Sequence, residues 1–416
     1  MPDRRGEALM RVVVTSESRF SRTPDGRVWV EAGPANPVWR RYLVAFDQVR
    51  IAARVRDVPE VPEAAARVDG DGVEVWPVPY YLGFRGYLRR RWAVARAVAA
   101  AAGRRDAVIL RVPSPIGSLL AAARDRARRP YALEVIGDPY DVLAPGVVRH
   151  PLRPLLQVAS TRRLRRQCRD AAAVAYETER RLQSRYPALP TTPTAGISSV
   201  DLPPPAFVPH ARAVRPPLRE ATLVSVGSLE QLYKGIDTLI EALALMPTAG
   251  LHARLVHVGV GAYRPHLEQL AARLGVGDRV TFAGPLPTVE AVRHQLDAGD
   301  LFVMPSRTEG LPRALIEAMA RALPAVGSTA GGIPELLAPE HLVAPNDPAA
   351  LAAAVTGVLT DPEALAAASA RNLARAHDFS AETLDARRAQ YYRAVAEVTE
   401  RRQTRPGAPL TLTPSR

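Results

Sequence analysis

Short runs of β-branched and aliphatic residues recur along the chain. Each ends in small or polar residues, and most precede a longer stretch rich in alanine and arginine. In the first half they are Arg11–Ser18 (RVVVTSES), Asp106–Pro115 (DAVILRVPSP), Tyr131–Asp141 (YALEVIGDPYD) and Ala171–Glu179 (AAAVAYETE). Between them lie helical stretches such as LRRRWAVARAVAAAA and IGSLLAAARDRARR. Runs without polar alternation fit strands buried on both faces, and strands that alternate with helices predict an open parallel sheet. The pattern stops at Thr191–Glu220, a proline-dense stretch without a period, and then restarts with ATLVSVGS, ARLVHVGVG, RVTFAGPL, LFVMPS and PAVGST. The expectation is an α/β chain of two similar halves joined by a linker.

At 416 residues and 47% hydrophobic content the chain can bury two cores of this kind. A net charge of +13 fits three partners: nucleic acid, an anionic membrane surface or a phosphorylated substrate. It also fits a solvated basic face produced by an arginine-biased composition. The single cysteine, Cys168, excludes an intramolecular disulfide and suits the cytoplasm. Its basic neighbours can lower a thiol pKa, yet no histidine lies near it in sequence, so it is read as unreactive. The N-terminus has no long apolar run of the kind a signal peptide needs. No window reaches the roughly 18 apolar residues of a membrane-spanning helix.

Lys234 is the only lysine; every other strongly basic side chain is arginine. It lies in VGSLEQLYKGIDTLIEAL, between a strand and a helix, where open α/β sheets bind ligands. A lysine at a helix start opposes the helix dipole unless an anion joins it there. Lysine is also a compact charge on a flexible stem and can enter a tight diphosphate pocket, whereas arginine is a planar fork. The second candidate is MPSRTEGLPRALIEAMARALP (Met304–Pro324). There Pro312 fits the first helical turn, Leu315, Ile316, Met319, Ala320 and Leu323 form the buried stripe, and Gly310 and Leu311 offer backbone N–H groups. Glu309 and Glu317 flank this helix start, eight residues apart. Carboxylates beside an anion site make sense when the ligand also carries sugar hydroxyls, which donate strong hydrogen bonds to them. The Gly-Gly turn in STAGGIPELL lets backbone approach a ligand closely. GVGAY lacks the rest of a dinucleotide fingerprint, which argues against NAD. Asp69-Gly-Asp71 reads as a turn between extended runs, and no metal is expected.

Taken in order, VGSLEQLYKGIDTLIEAL, VGVG, VTFAG and FVMPSRTEGLPRALIEAMARALPAVGSTAGGIPEL resemble the family 4 retaining glycosyltransferases of GT-B fold, over most of residues 220–345. The resemblance implies two Rossmann-like parallel-sheet domains facing across a cleft. It places an acceptor-binding domain at 1–205, a nucleotide-sugar domain at 206–378, a returning helix at 379–402 and a disordered tail at 403–416. It implies that Lys234 contacts the donor diphosphate, that Glu317 holds the ribose, and that Glu309 contacts the transferred sugar. Gly310, Leu311 and Pro312 would lie near the sugar or phosphate, and Leu286 near the base. Ser228 stands where the family commonly has a basic residue. Arg307 and Arg313 are the nearby candidates to replace that contact. The donor is a co-substrate, so no cofactor is expected.

The implied acceptor is a glycan or a lipid-linked molecule. Many relatives carry a Gly-rich loop after the first strand and a histidine further on; here the loop is SESRFSRTPDGRVWVE, and no histidine precedes His150. Asp138, at a strand end, is a candidate acceptor contact or base, with a simple Asp-Pro turn as the alternative. Pro79–Val98 interleaves aromatics with arginines, as a segment on anionic lipid would. Nucleic acid is disfavoured, because the sugar-facing glutamates would repel its backbone. The reading is a cytoplasmic transferase, peripheral on a membrane; the alternative is an inactive GT-B regulatory or binding protein.

Overall fold

The computed structural model describes residues 9–143, 151–214, 218–246 and 251–404. The chain divides into two units, Met1–Ile197 with Asp385–Arg416, and Ser198–Leu384. The division falls at Ile197/Ser198, ahead of the proline-dense Leu202–Phe207, because Leu202 already pairs within the second unit, its N–H donating to the Phe379 carbonyl.

The first unit is built on β1 (Arg11–Arg22), β2 (Val28–Val30), β3 (Gln48–Asp57), β4 (Ala66–Arg67), β5 (Val73–Pro79), β6 (Ala107–Val112), β7 (Ala132–Val135), β8 (Val174–Tyr176) and β9 (Thr194–Gly196). Its parallel run is β5–β3–β1–β6–β7–β8–β9; β2 pairs antiparallel with the end of β1, and β4 with β2. Side chains alternate between two cores. Val13, Ala52, Leu110 and Leu133 face one; Val12, Val14, Ile51 and Ile109 face the other. Both faces are covered, which is why β1 shows no polar alternation at its start.

The sequence reading ends β1 at Ser18, but the strand continues to Arg22. Its register shifts between Thr15 and Arg19, a bulge that carries the polar Ser16–Ser18 through the strand. Strand β3 (QVRIAARVRD) was hidden by its arginines. Arg50 and Arg54 stack over Trp76 and Tyr81 with their guanidinium carbons 4.9 and 4.8 Å from the ring centroids, so an arginine-rich segment is still largely buried.

The second unit holds β10 (Glu220–Val226), β11 (His252–Val258), β12 (Val280–Gly284), β13 (Leu301–Met304), β14 (Ala325–Ser328) and β15 (Leu342–Val343), all parallel, in the order β12–β11–β10–β13–β14–β15. Leu223, Leu255, Leu301 and Val326 face one core, Val224, Phe302, Met304 and Ala325 the other. The last helix, Ala381–Thr404, starts in this unit, where the Ser380 hydroxyl accepts the Thr383 N–H at 3.2 Å. From Asp385 it belongs to the first unit: the Tyr391 hydroxyl donates to the Leu133 carbonyl at 2.7 Å, and Tyr392 stacks on Tyr42 with centroids 4.5 Å apart. Residues 403 and 404 continue the helix, and the rest of the predicted tail lies outside the described residues.

Candidate active site

In the second unit the strand order reverses between β10 and β13, which pair directly through Leu223–Leu301 and Val224–Phe302. Loops that leave adjacent strands at such a reversal open a crevice at their carboxyl ends. The two sequence candidates are these loops. Lys234 ends a short 3-10 turn, Leu232–Lys234, after β10. Gly235 follows with φ +70° and leads into the helix Ile236–Leu245. A β-carbon there would collide with the Pro305 carbonyl of the loop after β13, so glycine is required by conformation and by contact.

The loops meet in one cluster. Lys234 Nζ lies 2.6 Å from Glu309 Oε1, and the Ser306 hydroxyl donates to the same oxygen at 2.7 Å. The pair is mostly buried, with 18% of the lysine and 9% of the glutamate side chain exposed. The lysine stem runs over Gly227, whose missing β-carbon would sit 3.3 Å from its methylenes. A guanidinium at this position would need more room beside Gly227.

Glu317 lies in the helix Arg313–Ala320, apart from this pair; it lines a separate cavity of about 330 Å³ with Arg293, Arg313 and Val289. Burial pushes its carboxyl pKa up, and the nearby Arg313 and Arg293 charges only partly oppose this. Pro312 sits just before the helix as its cap residue, rather than inside the first turn, with φ −78° and ψ 108°. The predicted stripe is fully buried in Leu315, Ile316, Met319, Ala320 and Leu323. Leu286 is half-buried in the loop after β12.

Ser228 is a turn residue: its hydroxyl accepts the Glu230 N–H at 3.2 Å. Of the two arginines expected to replace a basic side chain there, Arg307 is committed elsewhere. It makes a two-pronged pair with Asp237 at 2.9 and 2.8 Å, reaches Thr238 at 3.3 Å, and binds the Leu232 carbonyl and Asn346. It therefore ties the β13 loop to the Lys234 turn and its helix. Arg313 is open, with 59% of its side chain exposed and a single long pair to Glu317 at 3.9 Å.

One feature was missed from the sequence. His257, fully buried on β11, lies 2.8 Å from the Ser225 hydroxyl and 3.1 Å from the Gly227 carbonyl. The consistent tautomer donates from Nε2 to that carbonyl and accepts at Nδ1, and burial lowers the pKa to about 4. It holds the start of the lysine loop. The Gly-Gly turn of STAGGIPELL serves the protein's own backbone: Gly331, at φ +58°, packs on the Glu309 carbonyl, and the Gly332 N–H donates to the Gly310 carbonyl at 2.8 Å. Gly259 and Gly261 likewise admit the Gly227–Leu229 backbone.

In the first unit Asp138 caps the helix Pro139–Val142 through the Tyr140 N–H at 2.9 Å, and it also binds the Tyr186 hydroxyl and Arg185. Three protein donors occupy this buried carboxylate, which corresponds to the turn alternative. Asp69 accepts the Val28 N–H and Arg67, both at 3.1 Å, within its turn. Cys168 is buried, and burial raises its thiol pKa to about 12; the basic neighbours do not lower it. His150 lies outside the described residues.

Residues 220–361 match the family model described as glycosyl transferases group 1. The match lies within the second unit. The chain is 25% identical to protein CapJ of Staphylococcus aureus over 76% of its own length and 78% of that protein. It is 34% identical to the putative colanic acid biosynthesis glycosyltransferase WcaL of Escherichia coli, over 42% of this chain and 45% of WcaL. The match thus spans less than half of WcaL. Among solved structures, HepE of Anabaena in complex with UDP-glucose superposes with a TM-score of 0.58 at 18% identity, covering 91% of this chain and 98% of that one. The fold is GT-B, with two parallel-sheet domains. No single helix among the described residues is long and apolar enough to cross a membrane.

Proposed function

We propose that this chain is a retaining, metal-independent hexosyltransferase. It moves a sugar from a nucleoside-diphosphate sugar to an acceptor hydroxyl on a lipid-linked or polysaccharide precursor of the cell envelope. The observation that carries the reading is the pairing of the sole lysine with Glu309 at the reversal of the second sheet. One ammonium, one carboxylate and the Ser306 hydroxyl meet there, beside the loop of Gly310 and Leu311, and this mixture suits a ligand with both phosphate and hydroxyl groups.

In this reaction the bond between the anomeric carbon and the diphosphate oxygen breaks. Negative charge grows on the leaving oxygen, and Lys234 with the N–H groups of Gly310 and Leu311 meets it. Fixed donors aimed at developing charge are the largest kind of catalytic contribution available to such a site. Glu309 takes hydroxyls of the transferred sugar, Glu317 takes the ribose, Leu286 borders the base, and Pro312 lies near the sugar or phosphate. Arg313 replaces the basic residue absent at Ser228. The acceptor oxygen forms its bond on the face the diphosphate leaves and passes its proton to the departing diphosphate oxygen, so configuration is retained. The first unit binds the acceptor. HepE, solved with UDP-glucose, and WcaL, named for an exopolysaccharide pathway, support the donor and acceptor classes.

Exposed Leu82, Leu88 and Trp92 (74% exposed) lie on or beside the helix Gly83–Ala100 among Arg89, Arg90 and Arg91. This face supports peripheral association with the anionic cytoplasmic surface of a membrane. Melting temperatures measured with UDP-, GDP- and ADP-sugars test the donor, because a ligand of the folded state raises them. One nucleotide class should shift the protein and be turned over, and Glu309→Ala should abolish turnover. Wild-type protein that turns over none of them would return the chain to the inactive GT-B alternative.

A further inference from the structure

The first sheet reverses its strand order between β1 and β6. A cavity of about 600 Å³ opens there, lined by the β1 bulge, the end of β3, the end of β6 and the residue after β7. Nothing in the donor chemistry uses it. Three of its lining residues are arginines: Arg19 from the bulge, Arg54 from β3 and Arg111 from β6.

The cavity's one acidic lining residue, Glu17, is already occupied. Its carboxylate accepts the Ser114 hydroxyl at 2.6 Å and the Ile116 N–H at 3.1 Å, and lies 3.4 Å from both the Tyr81 hydroxyl and Arg54. Glu134 lies behind Arg111, 3.3 Å from its Nε, and is shared with the Tyr42 hydroxyl. Among the described residues, Arg19 makes no ion pair, and the terminal nitrogens of Arg111 make no hydrogen bond. The buried Nε atoms of Arg54 and Arg111 also lack a hydrogen-bond partner. Arg54 spends its terminal nitrogens on the Tyr81 carbonyl, at 3.3 Å, and the Glu17 carbonyl, so the unspent donors of the cavity are Arg19 and the terminal nitrogens of Arg111, which still exceed its free acceptors. A second observation points the same way. The 18-residue helix Gly83–Ala100 starts at the cavity through Leu82 and Gly83, with no side-chain cap and no acidic residue in its first turn. Its N-terminal N–H groups and dipole favour an anion.

We propose that this cavity is an anion subsite that holds a phosphate or carboxylate of the acceptor, at Arg19 and Arg111, with the committed Arg54 adding its charge beside them. The assignment of the acceptor to this unit rests on the transferase reading above; the anion preference rests on the cavity alone. Two sources share this chemistry, a phosphorylated sugar or lipid headgroup and a uronic acid.

Calorimetric titration of the full chain with glucose 6-phosphate, glucuronate and glucose tests the subsite without any nucleotide. At least one anionic sugar should bind about 10-fold more tightly than glucose, as charge-assisted hydrogen bonds to guanidinium groups imply. Preference for glucose 6-phosphate identifies a phosphorylated acceptor, and preference for glucuronate a uronic acid. Arg19→Gln, at an exposed position without an ion pair, should weaken that binding several-fold; Arg111→Gln should do so more strongly if it folds. Lys234→Gln, in the other unit, should leave it unchanged. Equal binding of glucose and both anions would overturn the proposal. So would loss in Lys234→Gln with retention in Arg19→Gln, or binding that ignores Arg19→Gln and marks general attraction to a basic surface. Anion binding without donor turnover would sink the transferase reading and keep the subsite; turnover without anion preference would do the reverse.

Discussion

Both sheets reverse their order at the same kind of place, and they furnish it differently. At β10/β13 the side chains come from two loops, each a continuous stretch of sequence. The charges there are balanced, Lys234 against Glu309 and Arg307 against Asp237. At β1/β6 they come from the ends of four separate strands, and guanidinium groups exceed free carboxylates. A balanced site suits a ligand that carries charge and neutral hydroxyls together. An unbalanced one suits a ligand that brings the missing charge. The second unit's cluster is thus a written motif, and the cavity in the first unit is a consequence of topology.

The largest expected effect separates the two sites. Lys234→Met should reduce donor turnover on the order of 10²–10³-fold, the usual loss when one stabilising donor is removed. It also strands Glu309 at 9% exposure, so the melting temperature should fall as well. A Lys234→Met protein with near-normal turnover would put the leaving diphosphate somewhere else. Arg19→Gln should leave donor hydrolysis intact. If it does not, the two sites are not chemically separate.

Next come the glycines that hold the loops. Gly331→Val forces a β-branched side chain into φ +58° and against the Glu309 carbonyl, so the loop must move. Turnover should drop at least tenfold, an effect of misplacing Glu309 by a fraction of an ångström or more. Gly357→Ala is the contrast. It sits in the helix Pro348–Thr360 with nothing within 4 Å of an added β-carbon, and should stabilise by up to about 1 kcal/mol. Comparable losses in both variants would mean that packing at the Glu309 loop is not special.

These positions also show what was legible. The alternation of apolar runs identified the strands of the second unit, since parallel strands buried on both faces leave no polar interruption. Lysine scarcity and the glutamate motif pointed to Lys234 and Glu309, which the fold joins at 2.6 Å, while Glu317 lies apart. What stayed hidden was whatever depended on a distant partner. The arginines of β3 obscured a strand because their aromatic partners, Trp76 and Tyr81, lie in or just beyond another strand. Arg307 offered a cation, and only the packing of Asp237 against it showed that the cation was spent. Asp138 stood at a strand end like a functional carboxylate, and its occupants, Tyr186 and Arg185, come from more than 40 residues away.

A smaller effect concerns acid stability. Because burial lowers the folded pKa of His257 to about 4, the histidine is neutral in the folded chain and charged in the unfolded chain between pH 6.5 and 4. Its contribution is complete above pH 6.5 and is lost as pH falls through that window, on the order of 3 kcal/mol in all. His257→Asn should flatten this part of the stability–pH curve and loosen the Gly227 loop at neutral pH. An unchanged slope would show that His257 is solvated.

The smallest effect sets the two glutamates of the donor site against each other. Glu309 is neutralised in place by Lys234, so Glu309→Gln should lower both turnover and melting temperature. Glu317 is not so well paired, and burial raises its pKa. A carboxyl raised on folding is most favourable below its unfolded pKa, near 4.5, and loses stability as pH rises through its folded value. At pH 7 the ionised group is therefore a cost to the fold. Glu317→Gln removes the charge and keeps the shape, so the melting temperature at pH 7 should rise by a degree or two and the gain should vanish near pH 4. The same variant should weaken nucleotide binding about tenfold, because a neutral amide accepts a ribose hydroxyl less strongly than a carboxylate does. A residue that destabilises its own protein at working pH is expected where a ligand needs the charge. If Glu317→Gln neither stabilises the protein nor weakens nucleotide binding, Glu317 is an ordinary helix residue, and the ribose contact must come from another side chain.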